Sequence, residues 1–378
     1  MITFCIPSKN NLRYLKTCIP SIELGSHYKT NEILIFVDQD NDGTVKWLKE
    51  NNIKYILNTE PECKGIGYAY DIMFKEAKYD LVIAFHADMI LGYEADLHLL
   101  NHYKPQSVVC STRIEPPLHP PGPEKIVQDF GLWPEEIKWD KFNDFVVKTS
   151  KENKGKITRS SFAPWLINRN DHLGHDPIFL SVFEDADLFR RFKLAGYKTI
   201  QVWSSLVYHL TCRGGQFEHA KETKDLVNKS QEWQQKNQIS LLEYIRKWGG
   251  FFKEDGPCEP RPNKKYDVGI KITNCTEDLL SLEPYFNNLS IDIDYKDYVN
   301  YHQPFSKFDL TSKFITSLNN NVILEFDTKL GNSQELNHII NNIEDIMTQV
   351  EEDSNYEFGS IKLRVNKIEI KNPKIKLI

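Results

Sequence analysis

The chain has 378 residues, a formal net charge of −6, and 40% hydrophobic, 12% aromatic and 26% charged residues. That length exceeds the ~100 to 200 residues of one ordinary domain and predicts two domains or one large domain with an appendage. The composition excludes a disordered chain, and the acidic balance argues against nucleic acid as a partner. No run approaches the ~20 apolar residues of a membrane span. The start, MITFCIPSKNNLRYL, lacks a basic region followed by an apolar core and cleavage site, so a cytoplasmic location is expected. The cysteines are dispersed without a C-x-x-C pair and signal neither a disulfide framework nor a zinc site.

Hydrophobic periodicity predicts a strand over 2–7, a helix over 11–22, a strand over 32–37, a helix over 44–51 and a strand over 53–57. A helix over 65–77 and a strand over 81–85 follow. The runs ILIFV and LVIAF are almost continuously apolar, as strands covered on both faces of a parallel sheet should be. The fold class is therefore α/β, Rossmann-like, with helices on both faces of a mostly parallel sheet and ligands expected at the carboxyl ends of its strands.

From 115 to 160 the pattern breaks at PPLHPPGP and reads as an inserted excursion. A strand over 162–167, a helix over 184–195 and a strand over 198–203 restore it. Glycine and proline cluster without periodicity at 256–265, which marks a linker between a domain of residues 1–255 and one of 266–378. The second is read as a small α+β unit. Its helix over 333–350 carries the stripe Leu336, Ile339, Ile340, Ile343, Met347 and Val350, flanked by strands at 321–326 and 361–365.

Four stretches carry candidate chemistry. VDQDNDGT puts Asp38 at a strand end, where a carboxylate can accept hydroxyl donors; an aspartate–glycine turn explains Asp40 and Asp42 equally well. AFHADMIL sets His86 and Asp88 two residues apart, so they face one way on an extended backbone and suit a divalent cation, or else form a solvated strand end. In SVFEDADLFRRFKLAGYK, Ser181 and Glu184 have capping-box spacing. There Asp185 is expected on the inward face, while Asp187, Arg190, Arg191 and Lys193 are expected outside. VYHLTCRGGQF offers His209 at the end of an apolar run and Arg213 between glycines, either over a diphosphate or in a surface turn. KGIGYAY, with Gly67, offers a weak phosphate approach.

Taken in order, these segments resemble the GT-A-fold glycosyltransferases of family two. FCIPSKNNLRYLKTCIPSI looks like the family's opening strand and helix, AFHADM stands where the family has its D-x-D motif, and EDADLFRRFKLAGYK closely matches its E-D segment. The resemblance spans roughly residues 1 to 220 and implies a metal-dependent inverting enzyme moving a sugar from a nucleotide diphosphate sugar to an acceptor hydroxyl. It implies Pro7, Ser8, Asp38, Gly67, His86 and Ala87 at the nucleotide, and Asp88 and His209 at Mn²⁺ or Mg²⁺. Asp185 would be the general base, with Glu184, Trp165 and Arg213 at the substrate. Asp38, Asp88 and Asp185 are thus expected to converge on one cation.

Two departures stand out: His86 replaces the first aspartate of D-x-D, and Tyr70-Asp71 stands where an Arg-Asn pair is common. A noncatalytic sugar- or nucleotide-binding protein is the alternative, followed by a nucleotidyltransferase. The C-terminal domain is expected to recognise the acceptor or to make a homo-oligomer.

Overall fold

The computed structural model describes every residue except 119–121, 180–181, 212–230, 252, 256–258 and 261–263. Two compact units are present. The first comprises Met1–Lys236 with Glu254–Arg261 and Lys376–Ile378, and the second comprises Asn237–Lys253 with Pro262–Ile375. Of the expected linker 256–265, residues 256–258 and 261–263 lie outside the described residues. No helix among the described residues is long and apolar enough to cross a membrane.

The first unit opens as β1 (Thr3–Lys9), α1 (Leu12–Gly25), β2 (Glu32–Gln39), α2 (Thr44–Glu50), β3 (Lys54–Leu57), α3 (Ile66–Glu76) and β4 (Leu81–Ala84). These are the predicted elements, within a residue or two at most ends. It continues with β5 (Met89–Leu91), α4 (Ala95–His102), β6 (Ser107–Glu115), β7 (Lys125–Val127), α5 (Trp139–Glu152), β8 (Ile157–Thr158), β9 (Trp165–Asn168), α6 (Glu184–Leu194) and β10 (Lys198–His209). The sheet order is β3-β2-β1-β4-β9-β6-β10-β5, with β7 on β6 and β8 on β10. Strands β3, β2, β1 and β4 run parallel, and β9 pairs antiparallel with both β4 and β6. Apolar side chains such as Phe4, Ile6, Val37, Ile83 and Leu166 fill the core, each 1% exposed or less. Helix α7 (Gln231–Trp248) and the short pair β11 (Glu254–Asp255) and β12 (Glu259–Pro260) follow.

Two expectations need correction. The 115–160 excursion is more regular than proline content suggested, because α5 packs Phe142 against Phe130 at 5.5 Å and against Tyr208 of β10 at 5.9 Å. Tyr208 hydroxyl donates to the Gly131 carbonyl at 2.7 Å, tying the excursion to the strand that ends in His209. The expected charged outer face of α6 holds only for Lys193, which is partly exposed; Asp187, Arg190 and Arg191 are fully buried. Arg191 Nε donates to Asp187 Oδ2 at 2.8 Å, and its Nη2 to the Gly174 carbonyl at 2.6 Å, so the Asp187 and Arg191 charges pair inside the protein. Ser181 of the expected capping box lies outside the described residues; α6 begins after Phe183, which has φ 69°.

The second unit is a five-stranded mixed sheet of order β14-β13-β15-β17-β16, from β13 (Val268–Thr273), β14 (Asn288–Ile291), β15 (Val322–Asp327), β16 (Ser354–Phe358) and β17 (Ile361–Val365). It also carries α8 (Lys296–His302) and α9 (Ser333–Ile346). Asn332 caps α9 by accepting from the Gln334 and Glu335 N–H groups at 3.0 and 3.1 Å, and Leu336 and Ile339 face the core.

Candidate active site

Strand β4 ends at Ala84, and the chain turns through Phe85-His86-Ala87-Asp88 before β5; the Met89 N–H donates to the His86 carbonyl at 3.2 Å. Because β5 pairs antiparallel with β10, with Met89 opposite His209, that turn is brought to the end of β10. Donor atoms of His86, Asp88 and His209 lie within 4.8 Å of one another. His209 Nε2 is 3.7 Å from Asp88 Oδ2, and its Nδ1 is 2.9 Å from Glu115 Oε1 at the end of β6. Lys125 of β7 donates to the other Glu115 oxygen at 2.9 Å.

The electrostatics follow from burial and pairing. Burial, reinforced by the charges of His209 and Arg113 and opposed by Asp88, pushes His86 down to about 4, which leaves a neutral imidazole. Burial also works against charge on His209, but Asp88 and Glu115 outweigh it and raise His209 to about 9. The Asp88 carboxyl is correspondingly held below its usual range despite burial.

His86, His209 and Arg113 line a cavity of about 300 Å³ together with His175, Glu184 and Asp185. Glu184 and Asp185 enter from the first turn of α6. Burial, aided by the neighbouring charge of Asp185, pushes Glu184 up to about 8, and its Oε2 has no hydrogen-bond partner among the described residues. Burial also raises Asp185, whose Oδ1 accepts from the Ala186 N–H at 2.7 Å. Two neighbouring carboxyls in one desolvated site do not both ionise readily.

The structure separates the sequence-predicted residues. His86, Asp88 and His209 are assembled together, and Glu184 and Asp185 face the same cavity. Asp38 is not among the residues lining it. Its carboxylate instead accepts from the Lys64 N–H at 2.8 Å, the Gly65 N–H at 3.1 Å and Asn58 Nδ2 at 3.0 Å, holding the loop before α3. Of the three carboxylates expected to converge, only Asp185 lines the cavity, while Asp88 lies 3.7 Å from the lining residue His209. Ala87 is buried, and Pro7 is half-buried beside Ser8, whose buried Oγ has no partner among the described residues. Gly67 makes room for His175. Trp165 borders the cavity, but at 2% exposure its ring packs against Phe74, Phe189 and Phe192 at 5.6, 5.8 and 6.1 Å, as a core side chain does. Arg213 lies outside the described residues.

Sequence reasoning missed Arg113 and Glu115, although both stand at the carboxyl end of an apolar strand, where the strand-end rule applies. It also missed His172 and His175, which sit in a loop without periodicity and announce themselves only through contacts with Asp71.

A mostly parallel α/β sheet thus gathers, among the described residues, a two-imidazole, one-carboxylate cluster and a pair of neighbouring carboxyls. Residues 3–157 match the family described as Glycosyl transferase family 2. No curated protein sequence matches the chain. Among solved structures, similarity is found to GalNAc-T7 with UDP, GalNAc and Mn²⁺, at 14% identity and TM-score 0.45, covering 66% of this chain and 48% of that one. TarS 1-349 of S. aureus matches at 11% identity and TM-score 0.38, with coverages of 55% and 60%. The mannosyltransferase PcManGT from Pyrobaculum calidifontis, in complex with GDP-Man and Mn²⁺, matches at 14% identity and TM-score 0.39, with coverages of 57% and 58%. The chain thus spans between 48% and 60% of the length of these structures.

Proposed function

We propose that the protein is a metal-dependent inverting glycosyltransferase that moves a sugar from a nucleotide diphosphate sugar to an acceptor hydroxyl. The observation that carries this reading is one cavity lined by His86 and His209 of the His86–Asp88–His209 cluster and by Glu184 and Asp185.

The donor set fits a divalent cation. Two imidazole nitrogens and a carboxylate oxygen suit Mn²⁺ better than Mg²⁺, and the Glu115 carboxylate behind His209 is the outer partner that metal-bound histidines usually have. Such an ion, when bound, supplies charge neutralisation for the diphosphate oxygens. Arg113 offers a guanidinium to the same leaving group. Asp185, when ionised, takes the proton of the attacking hydroxyl as the new glycosidic bond forms and the bond to diphosphate breaks. Glu184, raised to about 8, keeps its proton at neutral pH and is available as a donor to the substrate.

In this reading residues 1–255 form the catalytic domain of a cytoplasmic enzyme, and residues 266–378 form a second domain that recognises the acceptor or another copy of the chain. The test is transfer from a panel of UDP- and GDP-sugars in the presence of Mn²⁺, run with Asp185→Asn beside the native protein. Loss of turnover with retained nucleotide binding is expected, and undiminished transfer by the variant would remove Asp185 from its role.

A further inference from the structure

The proposed function leaves one built group unused. Asp71 of α3 meets His172 and His175 of the loop between β9 and α6: His172 Nε2 and His175 Nδ1 each lie 2.7 Å from Asp71 Oδ1. The His175 backbone N–H adds bonds to both Asp71 oxygens, at 3.1 and 3.0 Å. These contacts hold the Asp71 carboxyl far below its usual range against the opposing effect of burial. An ionised carboxylate only accepts, so both ring nitrogens facing it carry hydrogen.

The loop is fixed from the other side as well. Arg191 of α6 donates to the carbonyls of Leu173 and Gly174 at 3.3 and 2.6 Å, so α3 and α6 grip the same four residues. Gly67 admits the His175 ring at a closeness that a side chain at position 67 would block. A histidine held this firmly is pre-organised for one orientation.

Hydrogen-bond distances of 2.7 Å argue against a metal between these three residues, because a bound cation would hold its donors farther apart. Freeing His172 Nε2 for an ion would also move its proton to Nδ1, which is buried with no hydrogen-bond partner among the described residues.

With Nδ1–H given to Asp71, the lone pair of His175 is on Nε2, and no described residue hydrogen-bonds that atom. His175 lines the cavity together with Asp185. A carboxyl and an imidazole whose Nε2 has no partner among the described residues thus line one cavity. We propose that His175 is an acceptor-positioning residue: Nε2 receives a hydrogen bond from a second hydroxyl of a sugar-like polyol whose reacting hydroxyl lies on Asp185, and Asp71 acts through His175 by fixing its tautomer. This deepens the glycosyltransferase reading and rests on it for the identity of the reaction.

The experiment has two arms. In the first, histidine-¹⁵N NMR of the native protein at pH 8, with UDP and diamagnetic Mg²⁺ present, reads the His175 tautomer while methyl hexosides are added. A protonated Nδ1, and an Nε2 resonance that moves with at least one hexoside, are expected. An Nε2–H tautomer, or no response to any hexoside, overturns the proposal, and neither readout requires transfer to occur. In the second arm, each responsive hexoside is compared with its monodeoxy analogues as a transfer acceptor. The native enzyme should lose about tenfold in kcat/KM when the second hydroxyl is removed, through KM rather than kcat. His175→Gln and Asp71→Asn should both abolish that penalty. Retention of the penalty in folded variants, or a metal equivalent bound by Asp88→Ala and lost on adding Asp71→Asn, overturns it. Absence of transfer with intact first-arm behaviour would fault the reaction assignment, not the histidine.

Discussion

Gly67 and His175 stand so close that a Cβ placed on Gly67 would lie 2.8 Å from His175 Cβ and 3.0 Å from its Cγ. Neither atom is the free end of a flexible chain, so the contact can be relieved only by displacing α3 or the histidine loop. Gly67→Ala should therefore destabilise the first unit by about 1–3 kcal/mol. A fall of about 2–4 °C in melting temperature per kcal/mol is expected, measured by calorimetry. An unchanged melting temperature would mean that the loop yields freely.

Glu115 holds His209 from behind, at 2.9 Å from Nδ1. Glu115→Gln keeps the size of the side chain and removes the charge that makes the imidazole a strong donor. Mn²⁺ affinity should drop about 10–100-fold by titration calorimetry, the range found for outer partners of metal-bound histidines. Asp88→Ala should lower it further, since it removes a donor atom itself.

Glu184 gives the protein a pH dependence of definite sign. Its folded-state value of about 8 exceeds its ordinary 4.5, so the native state holds a proton that the unfolded chain releases between those values. Stability from this group is fully present below 4.5 and is lost as pH rises through about 8. Glu184→Gln, neutral at every pH, should match or trail the native protein near pH 5 and exceed it in thermal stability at pH 8 to 9, with the gap opening across that window. Parallel melts of the two proteins over a buffer series provide the measurement.

Asp187 and Arg191 form an ion pair with neither side chain exposed. Asp187→Asn leaves a buried guanidinium short of its counter-charge, at an expected cost of about 3–5 kcal/mol in urea unfolding. Because Arg191 also carries the loop before α6, the same variant should loosen His175 and speed hydrogen exchange at residues 172–175.

Much of this was legible from the residues in order. Apolar runs such as ILIFV and LVIAF marked β2 and β4 because a strand covered on both faces has no polar side to show. The ends of those strands pointed to His86 and Asp88, and the E-D segment pointed to Glu184 and Asp185, since both signals are local. Arg113 and Glu115 were legible in principle by the same strand-end rule. The face of α6 was misread for a different reason: its charged residues look solvated in a linear pattern, and only a buried partner such as Asp187 for Arg191 makes them interior residues.

What the sequence determined by itself was the alternation of elements, the separation of a mixed α+β segment near the C-terminus, and the short polar stretches at strand and helix ends, because periodicity and turn chemistry act over a few neighbouring residues. Only the tertiary structure decided that His209 meets Asp88, that Asp38 secures the loop before α3, and that Asp71 commands two histidines about a hundred positions later. Those outcomes depend on strand order and on the antiparallel insertion of β5 beside β10. Such long-range pairings are chosen by the packing of the whole sheet and leave no mark in the local pattern.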